Sequence, residues 1–189
     1  MGKIREAMDR DLIIIKKMTD AYIGADFYTM SFLKEIYNSE DKFLYVYAND
    51  RDETVAYFYI FISSLQEALK VLNVPYELLG ADGIQSDGRV GVYKTSCTEK
   101  DYRNKGIFTS FLYNLEEVFK KYKVERVFLP ALKTPSGVIP VQNVVLSAGF
   151  HKVGEIRHPW SAIASYCPYC RNGNCQCDCV LYTKGVAYE

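Results

Sequence analysis

The chain contains 189 residues, which suits one domain with or without a small appendage and is too short for two large domains. Lys plus Arg and Asp plus Glu each number 23, so the formal net charge is zero and no global field attracts a polyanion such as nucleic acid. The sequence lacks the roughly 20-residue apolar run that spans a bilayer, and its first residues do not have the apolar stretch expected of a secretory signal. We therefore expect a cytoplasmic protein that binds neither nucleic acid nor membrane.

The N-terminal segment predicts one strand followed by two helices. Ile4–Ala7 has the composition of a short strand. Asp9 or Asp11 is then expected to cap a helix whose apolar residues recur at helical spacing. A second helical stretch is expected near Ser31 to Tyr37.

A hairpin and a third helix are predicted next. Lys42–Ala48 and Thr54–Ser63 are rich in aromatic and β-branched residues, and a run of turn-forming residues separates them. Ser64 and Glu67 have the spacing of a capping box, in which each side chain satisfies a free helix amide. The helix that they open is expected to end near Leu72.

The middle of the chain predicts a loop, a strand and a long helix. Gly80–Gly88 predicts the loop, and Val90–Thr98 predicts the strand. Apolar residues then recur at helical spacing from Phe108 to Tyr122 and predict a helix with one face against a sheet. Arg126–Leu129 predicts a further short strand, which Pro130 is expected to end.

The remaining elements are a short helix and two strands. Pro140 can open a helix that ends before Gly149. Strands are predicted from Val153 onward and over Val180–Thr183. The order of elements mixes helices and strands and contains no internal repeat.

The turn before the long helix carries the first functional signal. It contains Arg103, Lys105 and Gly106, directly before the predicted start of the helix. A helix N-terminus has free amides and a partial positive charge, and a glycine there lets the backbone approach a phosphate closely. The segment is therefore either a pyrophosphate cradle or an ordinary solvated helix cap.

The stretch from Asp101 to Phe108 resembles the acyl-CoA motif of the GNAT superfamily of N-acetyltransferases, written Q/R-x-x-G-x-G/A. The predicted elements follow the order of that family over most of the chain. The resemblance implies a single α+β domain over residues 1–189. Its central sheet is expected to be mixed and mostly antiparallel, flanked by helices, with one splayed parallel pair of strands at the motif.

The resemblance also implies that acetyl-CoA donates an acetyl group to a primary amine by direct attack in a ternary complex. Residues at the motif strand's edge would pair with the pantetheine amides, and main-chain amides of the turn would hold the pyrophosphate. Together these expected cofactor-binding residues are Cys97, Thr98, Arg103, Asn104, Lys105, Gly106, Ile107 and Phe108. Phe108 departs from the motif, which has Gly or Ala there, and a ring that pointed at the phosphates would block the cradle.

Acetyl transfer to an amine needs a polarised thioester carbonyl and an acceptor for the proton of the amine. By resemblance, a backbone amide near Cys97 polarises the carbonyl. Glu99, at the end of the motif strand, is the candidate proton acceptor through water, and an exposed structural glutamate is the alternative interpretation. His158, beside Pro159 and Trp160, is a candidate neighbour of the acceptor pocket, whereas His151 is expected at the surface.

The proton donor for the departing thiolate is less well marked. Many relatives have a tyrosine four residues before the Gly-Phe pair that ends the short helix, and Val145 holds that place here. Tyr182 is the expected substitute, with Tyr166, Tyr169 or water as alternatives.

Five of the six cysteines lie in the segment 166–179. Cys167 and Cys170 form a C-x-x-C pair, and Cys175 and Cys177 form a C-x-C pair after a turn-forming segment. Four thiolates so spaced predict a tetrahedral zinc site. Cys179 is a substitute ligand, because by alternation along the last strand it shares a face with Cys175 and Cys177.

Two other interpretations of these cysteines stay open, namely an iron–sulfur centre and free or disulfide-forming thiols. In the order of the family the cluster is an insertion between the last two strands, a region that often borders the acceptor cleft or a subunit interface. The resemblance therefore implies a structural metal that orders a loop of the acceptor site, and it allows a homodimer. A noncatalytic module that binds acyl-CoA or senses metal or redox state on the same fold is the alternative function.

Overall fold

The computed structural model describes residues 2–79, 88–162, 167–170 and 174–188. The helices of the described residues, in chain order, are α1 (Asp9–Tyr22), α2 (Met30–Tyr37), α3 (Leu65–Leu72), α4 (Ile107–Lys121) and α5 (Gln142–Ser147). The strands are β1 (Lys3–Glu6), β2 (Lys42–Ala48), β3 (Thr54–Ser64), β4 (Arg89–Thr98), β5 (Arg126–Lys133), β6 (His151–Ile156) and β7 (Asp178–Gly185). Short 3₁₀ turns follow α3 at Tyr76–Leu79 and β4 at Lys100–Tyr102.

The described strands form one sheet in the order β1-β2-β3-β4-β5-β7-β6. Neighbouring strands are antiparallel throughout except for β4 and β5, which are parallel. This pattern confirms the predicted α+β fold with a mostly antiparallel sheet and one splayed parallel pair. The cysteine cluster lies between β6 and β7, as predicted.

The start of α1 differs from its prediction. The N-cap position is Met8, so Asp9 and Asp11 both lie in the first turn, and Asp11 caps the helix from its third position by accepting from the backbone of Met8. Asp11 accepts hydrogen bonds from the backbone N–H of Met8 at 2.7 Å and from Arg5 and Thr54 at 2.6 Å. Burial alone raises the pKa of Asp11, but these hydrogen bonds outweigh burial and lower it. The carboxylate therefore ties the helix to both neighbouring strands.

The hairpin and the Ser64 cap of α3 agree with their predictions. β2 and β3 pair from Lys42↔Phe61 to Ala48↔Thr54, and Ser64 is the N-cap of α3. The Ser64 hydroxyl accepts from the backbone N–H of Glu67 at 3.2 Å. The loop predicted at Gly80–Gly88 lies outside the described residues except for its last residue.

Pro130 does not end β5, and this part of the prediction is wrong. The strand continues to Lys133, and Pro130 stands opposite Leu181 of β7. Among the described residues β4 pairs with β5 only as far as Phe128, so beyond that point one side of β5 has no partner strand. A proline, which has no backbone N–H to donate, is tolerated where a strand has such an unpaired edge.

The last two strands are longer than predicted. β6 begins at His151, two residues before Val153, and β7 extends beyond Val180–Thr183 at both ends. Antiparallel pairing of β7 with both β5 and β6 supports this length, since each neighbour supplies hydrogen bonds that the sequence pattern does not reveal.

The sheet separates two apolar layers. Helices α1, α2 and α3 cover one face, and α4 and α5 cover the other. On the second face Gly91 lets α4 approach closely, because a Cβ at this position would lie 2.3 Å from the ring of Phe119. Each fully buried apolar side chain contributes about 1.5–3 kcal/mol, so both layers stabilise the sheet that carries the cleft described below.

Within the described part of the chain, every helix is too short or too polar to cross a bilayer.

Candidate functional site

The divergence of β4 and β5 opens a cleft in the middle of the sheet. The two strands pair at Val90↔Arg126, Gly91↔Val127 and Val92↔Phe128, and they separate beyond this point. The cleft between them has a volume of about 250 Å³. Tyr93–Ser96 line it from β4 and Leu129–Leu132 line it from β5.

An irregularity in β4 lies at the cleft. Tyr59 pairs with Thr95 and Ile60 pairs with Tyr93, so Lys94 has no residue opposite it in the β3–β4 register. A bulge of this kind re-aims the side chains and backbone groups that follow it. The sequence pattern gave no indication of the bulge, because one extra residue in a strand leaves no mark in composition.

The turn before α4 has the backbone conformation of a ligand cradle. Gly106 is the N-cap of α4 and is left-handed, with φ +75°, and Asn104 is left-handed with φ +59°. The first helical hydrogen bond runs from Ser110 N to Gly106 O at 2.9 Å, so the amides before Ser110 have no helical partner. A Cβ at Gly106 would meet nothing within 4 Å, so the space on the Cβ side of this glycine is open.

Arg103 braces this turn. Its Nε donates to the carbonyl oxygen of Thr98 at 3.0 Å, and its guanidinium carbon lies 4.7 Å from the centre of the Tyr22 ring. The Tyr22 hydroxyl in turn donates to Glu99 Oε2 at 2.8 Å. This bond to a carboxylate raises the pKa of Tyr22. The four residues therefore hold the end of α1, the end of β4 and the turn together.

Phe108 turns toward the sheet. Its ring centre lies 5.3 Å from that of Phe58, and Phe108 lines the cleft. The side chain that departs from the expected motif thus packs on β3.

Cys97 and Thr98 occupy the β4 edge between the cleft and the turn. The Cys97 side chain packs under α1, where its Sγ lies 3.9 Å from the carbonyl oxygen of Met18, and burial raises its pKa to about 12. The described lining of the cleft contains Thr95 and Ser96 instead. Sequence reasoning missed these two residues, because the bulge that directs them was not foreseen.

The candidate acids lie in different places. Tyr182 is 2% exposed and belongs to the core on the α4 side, and it is outside the described cleft lining. Val145 is fully buried in the same core. Tyr169 lines the cleft, whereas Tyr166 lies outside the described residues.

The two histidines lie near the two ends of the β6 region. The backbone N–H of His158 donates to Asp178 Oδ1 at 3.2 Å, and its Nδ1 lies 3.5 Å from the same oxygen. His151 is exposed at the start of β6. Neither side chain belongs to the described lining of the cleft, although Trp160, two residues after His158, does.

Four of the five clustered cysteines come together. The Sγ atoms of Cys167, Cys170, Cys175 and Cys177 all lie within 4.8 Å of one another. Cys177 Sγ is 3.8 Å from that of Cys167 and 3.6 Å from that of Cys170. Four sulfurs arranged tetrahedrally about 2.3 Å from one ion are separated by roughly 3.8 Å, so the group has the size of a single-metal site.

The surroundings of the sulfurs favour the thiolate form at Cys170 and the thiol form at Cys175. The backbone N–H of Gln176 donates to Cys170 Sγ at 3.2 Å. Burial raises the pKa of Cys170, but this N–H and the neighbouring thiols outweigh burial and lower it. Burial raises the pKa of Cys175 to about 11, so an unliganded Cys175 is held as a thiol. Leu132 and Trp160 pack against the group.

Cys179 lies on β7 and is not one of the four grouped sulfurs. It pairs with Leu132 of β5 and Ile156 of β6, and burial raises its pKa to about 12. It therefore packs as a small apolar residue beside the group.

The thiolate loop, defined here as the described residues Cys167–Cys170 and Asn174–Cys177, forms part of the cleft wall. Cys167, Pro168, Tyr169 and Cys175 all line the cleft. The four grouped cysteines therefore lie beside the opening between β4 and β5.

No protein-family model and no curated protein matches the sequence. Solved structures do match the fold. Arabidopsis thaliana NAA60 in complex with acetyl-CoA has a TM-score of 0.72 and 14% identity, over 98% of this chain and 99% of that one.

Two bacterial proteins match similarly. A GNAT-family acetyltransferase from Streptococcus pneumoniae has a TM-score of 0.62 and 14% identity, over 98% of this chain and 100% of that one. An N-acetyltransferase from Staphylococcus aureus Mu50 has a TM-score of 0.65 and 13% identity, over 99% of each chain. The resemblance to the GNAT superfamily is thereby confirmed at the level of the fold.

Proposed function

We propose that this chain, which has the GNAT fold, transfers an acetyl group from acetyl-CoA to a primary amine by direct attack in a ternary complex. The observation that carries the proposal is the left-handed Gly106, which has open space on its Cβ side and is the N-cap of α4. The first amides of this helix have no helical partner, and the turn follows a strand that borders a cleft. Free amides and the helix dipole attract a phosphate group at such a terminus.

In this proposal the pyrophosphate binds to main-chain amides of Arg103, Asn104, Lys105, Gly106, Ile107 and Phe108. The pantetheine arm then follows the β4 edge at Cys97 and Thr98 toward the cleft. The Phe108 ring packs on Phe58, and in this proposal it does not contact the phosphates.

The acetyl group lies in the cleft beside β4. A backbone N–H of this strand polarises the thioester carbonyl, as the sequence predicted near Cys97, and Ser96 is the adjacent residue that lines the cleft. The amine nitrogen attacks the carbonyl carbon, the carbon–sulfur bond breaks, and the thiolate of CoA leaves.

Glu99 takes the proton of the amine through Tyr22. Tyr22 lines the cleft and donates its hydroxyl hydrogen to Glu99, so its oxygen can accept a proton from the amine as its own moves to the carboxylate. The departing thiolate takes a proton from Tyr169, which lines the cleft, or from water. Tyr182, the acid expected from the sequence, reaches the thiolate only if the core around it opens, since it is 2% exposed.

We further propose that Cys167, Cys170, Cys175 and Cys177 bind one zinc ion. The spacing of the sulfurs suits one ion better than an iron–sulfur cluster, because a cluster places its own iron and sulfide atoms between the thiolates. Zinc bound by four thiolates has no open position for substrate, so its contribution here is to order the loop.

Calorimetry with CoA tests the cradle. Gly106→Glu places a carboxylate before the amides, and we expect the Kd for CoA to rise at least about 100-fold through lost charge-assisted hydrogen bonds. Gly137→Glu is the matched control, because Gly137 also has a left-handed φ, +85°, with nothing within 4 Å of a Cβ. It imposes a similar backbone strain of about 1–2 kcal/mol and should bind CoA normally.

Equal CoA binding by wild type and Gly106→Glu, or no binding by wild type, would overturn the proposed function. Release of the CoA thiol in the presence of amines then separates the two functions that the sequence left open. Turnover supports the transferase, and tight acetyl-CoA binding without turnover of any amine supports the noncatalytic sensor.

A further inference from the structure

The bulge in β4 changes which face of the sheet the end of this strand presents. Val92, before the bulge, and Cys97, after it, both belong to the apolar layer of α1, α2 and α3. They are an odd number of positions apart, and strict alternation would place them on opposite faces. The extra residue, Lys94, therefore shifts the alternation of the residues that follow it by one position.

This shift decides where Thr95 and Ser96 point. Residues directly opposite each other in an antiparallel pair have their side chains on the same face of the sheet. Thr95 stands opposite Tyr59, which belongs to the layer of α1, α2 and α3. Ser96 stands opposite Phe58, which belongs to the layer of α4. A strand without the extra residue would exchange the two faces, and the backbone groups beside the cleft would change direction with them.

Tyr28, in the segment between α1 and α2, holds Thr95 on its face. The hydroxyl groups of the two residues form a hydrogen bond with an oxygen–oxygen distance of 2.5 Å. The Tyr28 side chain is buried, and its ring centre lies 4.9 Å from that of Phe27, 5.1 Å from that of Phe32 and 6.0 Å from that of Tyr59. Burial raises the pKa of Tyr28, so its hydroxyl stays protonated at neutral pH. The strand is thus bonded to a fixed hydroxyl.

The other bulge residue, Lys94, is held less firmly. Its ammonium donates to the carbonyl oxygen of Val71, near the end of α3, at 3.3 Å. A lysine side chain is long and flexible, so this bond restrains the backbone of β4 only weakly. The Thr95 side chain is short, and a bond to its hydroxyl fixes the strand directly. The contact between Tyr28 and Thr95 is therefore the one that selects the register of the bulge.

We propose that Tyr28 is a positioning residue for acetyl transfer, because its hydroxyl holds Thr95 and thereby directs the β4 backbone that borders the cleft. This inference rests on the proposed function, in which an N–H of this strand polarises the thioester carbonyl. A displacement of about 1 Å in a group of this kind lowers a rate by as much as about 100-fold. Tyr28 is outside the described lining of the cleft, so it acts through Thr95.

Kinetics of Tyr28→Phe test the inference. Acetyl-CoA is the donor, and 2-phenylethylamine, 1,4-diaminobutane and a tripeptide amide beginning with alanine are the acceptors. We expect kcat for the best acceptor to fall at least about tenfold, whereas the Kd for CoA changes less than about threefold because the amides before α4 are unaltered. Tyr59→Phe is the matched control, since it removes a hydroxyl from the same aromatic group without removing a hydrogen bond between described residues. It should keep the wild-type kcat.

Substitutions of Thr95 separate positioning from a general loosening of the core. Thr95→Val removes the same hydrogen bond and should lower kcat as Tyr28→Phe does, whereas Thr95→Ser keeps a hydroxyl and should retain most of the activity. The double variant of Tyr28→Phe and Thr95→Val should lose little more than either single variant, because both act through one contact. Hydrogen exchange of residues 94–96 in the free protein should be faster in Tyr28→Phe than in Tyr59→Phe.

The inference would be overturned by a kcat of Tyr28→Phe within about twofold of wild type, by an equal loss in Tyr59→Phe, or by additive losses in the double variant. Each of these results leaves the proposed transferase intact. Failure of the proposed function looks different, because the wild-type protein then binds no CoA and acetylates none of the amines. In that case the inference falls with it, and the exchange measurement alone decides whether Tyr28 holds the bulge.

Discussion

The thiolate loop lines the cleft and the turn before α4 follows the strand that lines it, but main-chain groups define one site and side chains define the other. The turn offers main-chain amides, and its conformation depends on left-handed residues such as Gly106. The thiolate loop offers side-chain sulfurs, and its conformation depends on four residues that meet at one point. We therefore expect a substitution at the turn to matter where it changes φ, blocks the amides or removes the Arg103 contacts that brace the turn.

The same contrast explains how easily each of the two sites can be recognised from the sequence. A glycine in a turn is common, and R-x-x-G gains meaning only from the elements around it. Four clustered cysteines are uncommon, and their spacing alone predicts a metal site. Backbone sites are thus recognised through the fold, whereas thiolate sites are recognised through composition.

Loss of one thiolate should have the largest effect. Cys177 is fully buried and lies between the sulfurs of Cys167 and Cys170. We expect Cys177→Ser to reduce zinc from about one equivalent to less than about a tenth, since a closed four-thiolate site needs every ligand. Metal analysis after purification without chelator measures this, and amine turnover should fall with it.

The control for this change is Cys97→Ser, which alters a buried cysteine outside the group of four. It should keep its zinc. CoA binding should change less than about threefold in Cys177→Ser, because the amides before α4 need no metal. Weak metal binding by the wild-type protein, or equal zinc in Cys177→Ser, would contradict the zinc proposal.

Removal of the proton acceptor should have the next largest effect. We expect Glu99→Gln to lower kcat about 100-fold, at the lower end of general-base contributions, with an unchanged KM for acetyl-CoA. Tyr22→Phe should cause a similar loss, and the double variant should lose little more, because both residues act in one path. Near-normal turnover by Glu99→Gln would favour a structural glutamate that braces the Arg103 turn.

The smallest effect is expected from a cationic side chain of the turn. Lys105 is exposed, and its ammonium lies 4.9 Å from the centre of the Tyr102 ring. Lys105→Gln should weaken CoA binding by only about two- to fivefold at low salt, because an exposed charge is screened by solvent and the main chain supplies the main contacts. Titration calorimetry at low and at high salt measures this. A loss as large as that of Gly106→Glu would show that side chains hold the pyrophosphate.

Much of the fold was predictable from local pattern. The hairpin, the Ser64 cap of α3 and the long α4 all follow from periodicity and capping chemistry. Apart from the N-cap of α1, the errors arose where neighbouring strands decide the outcome. β5 passes Pro130 because its β4 side is open there, and β7 is lengthened by pairing on both sides.

The candidate site was also predictable only in part, because local sequence pattern determines some of its features and contacts between strands determine the others. The grouping of Cys167, Cys170, Cys175 and Cys177 could be anticipated from spacing, and the position of Gly106 from the motif. The bulge at Lys94 could not, since it depends on the register between β3 and β4. The core position of Tyr182 likewise follows from the pairing of β7, which tertiary contacts determine.

The short parallel ladder between β4 and β5 has a consequence for the behaviour of the whole sheet. Three residue pairs connect the strands β1–β4 to the strands β5–β7, and the helices supply the rest of the connection. A ligand whose amides hydrogen-bond to the β4 edge acts as an additional strand across the opening. Binding of such a ligand should therefore slow hydrogen exchange along residues 93–98 and raise the thermal midpoint of unfolding. The two halves of the sheet are then joined along their full length only when the ligand is bound.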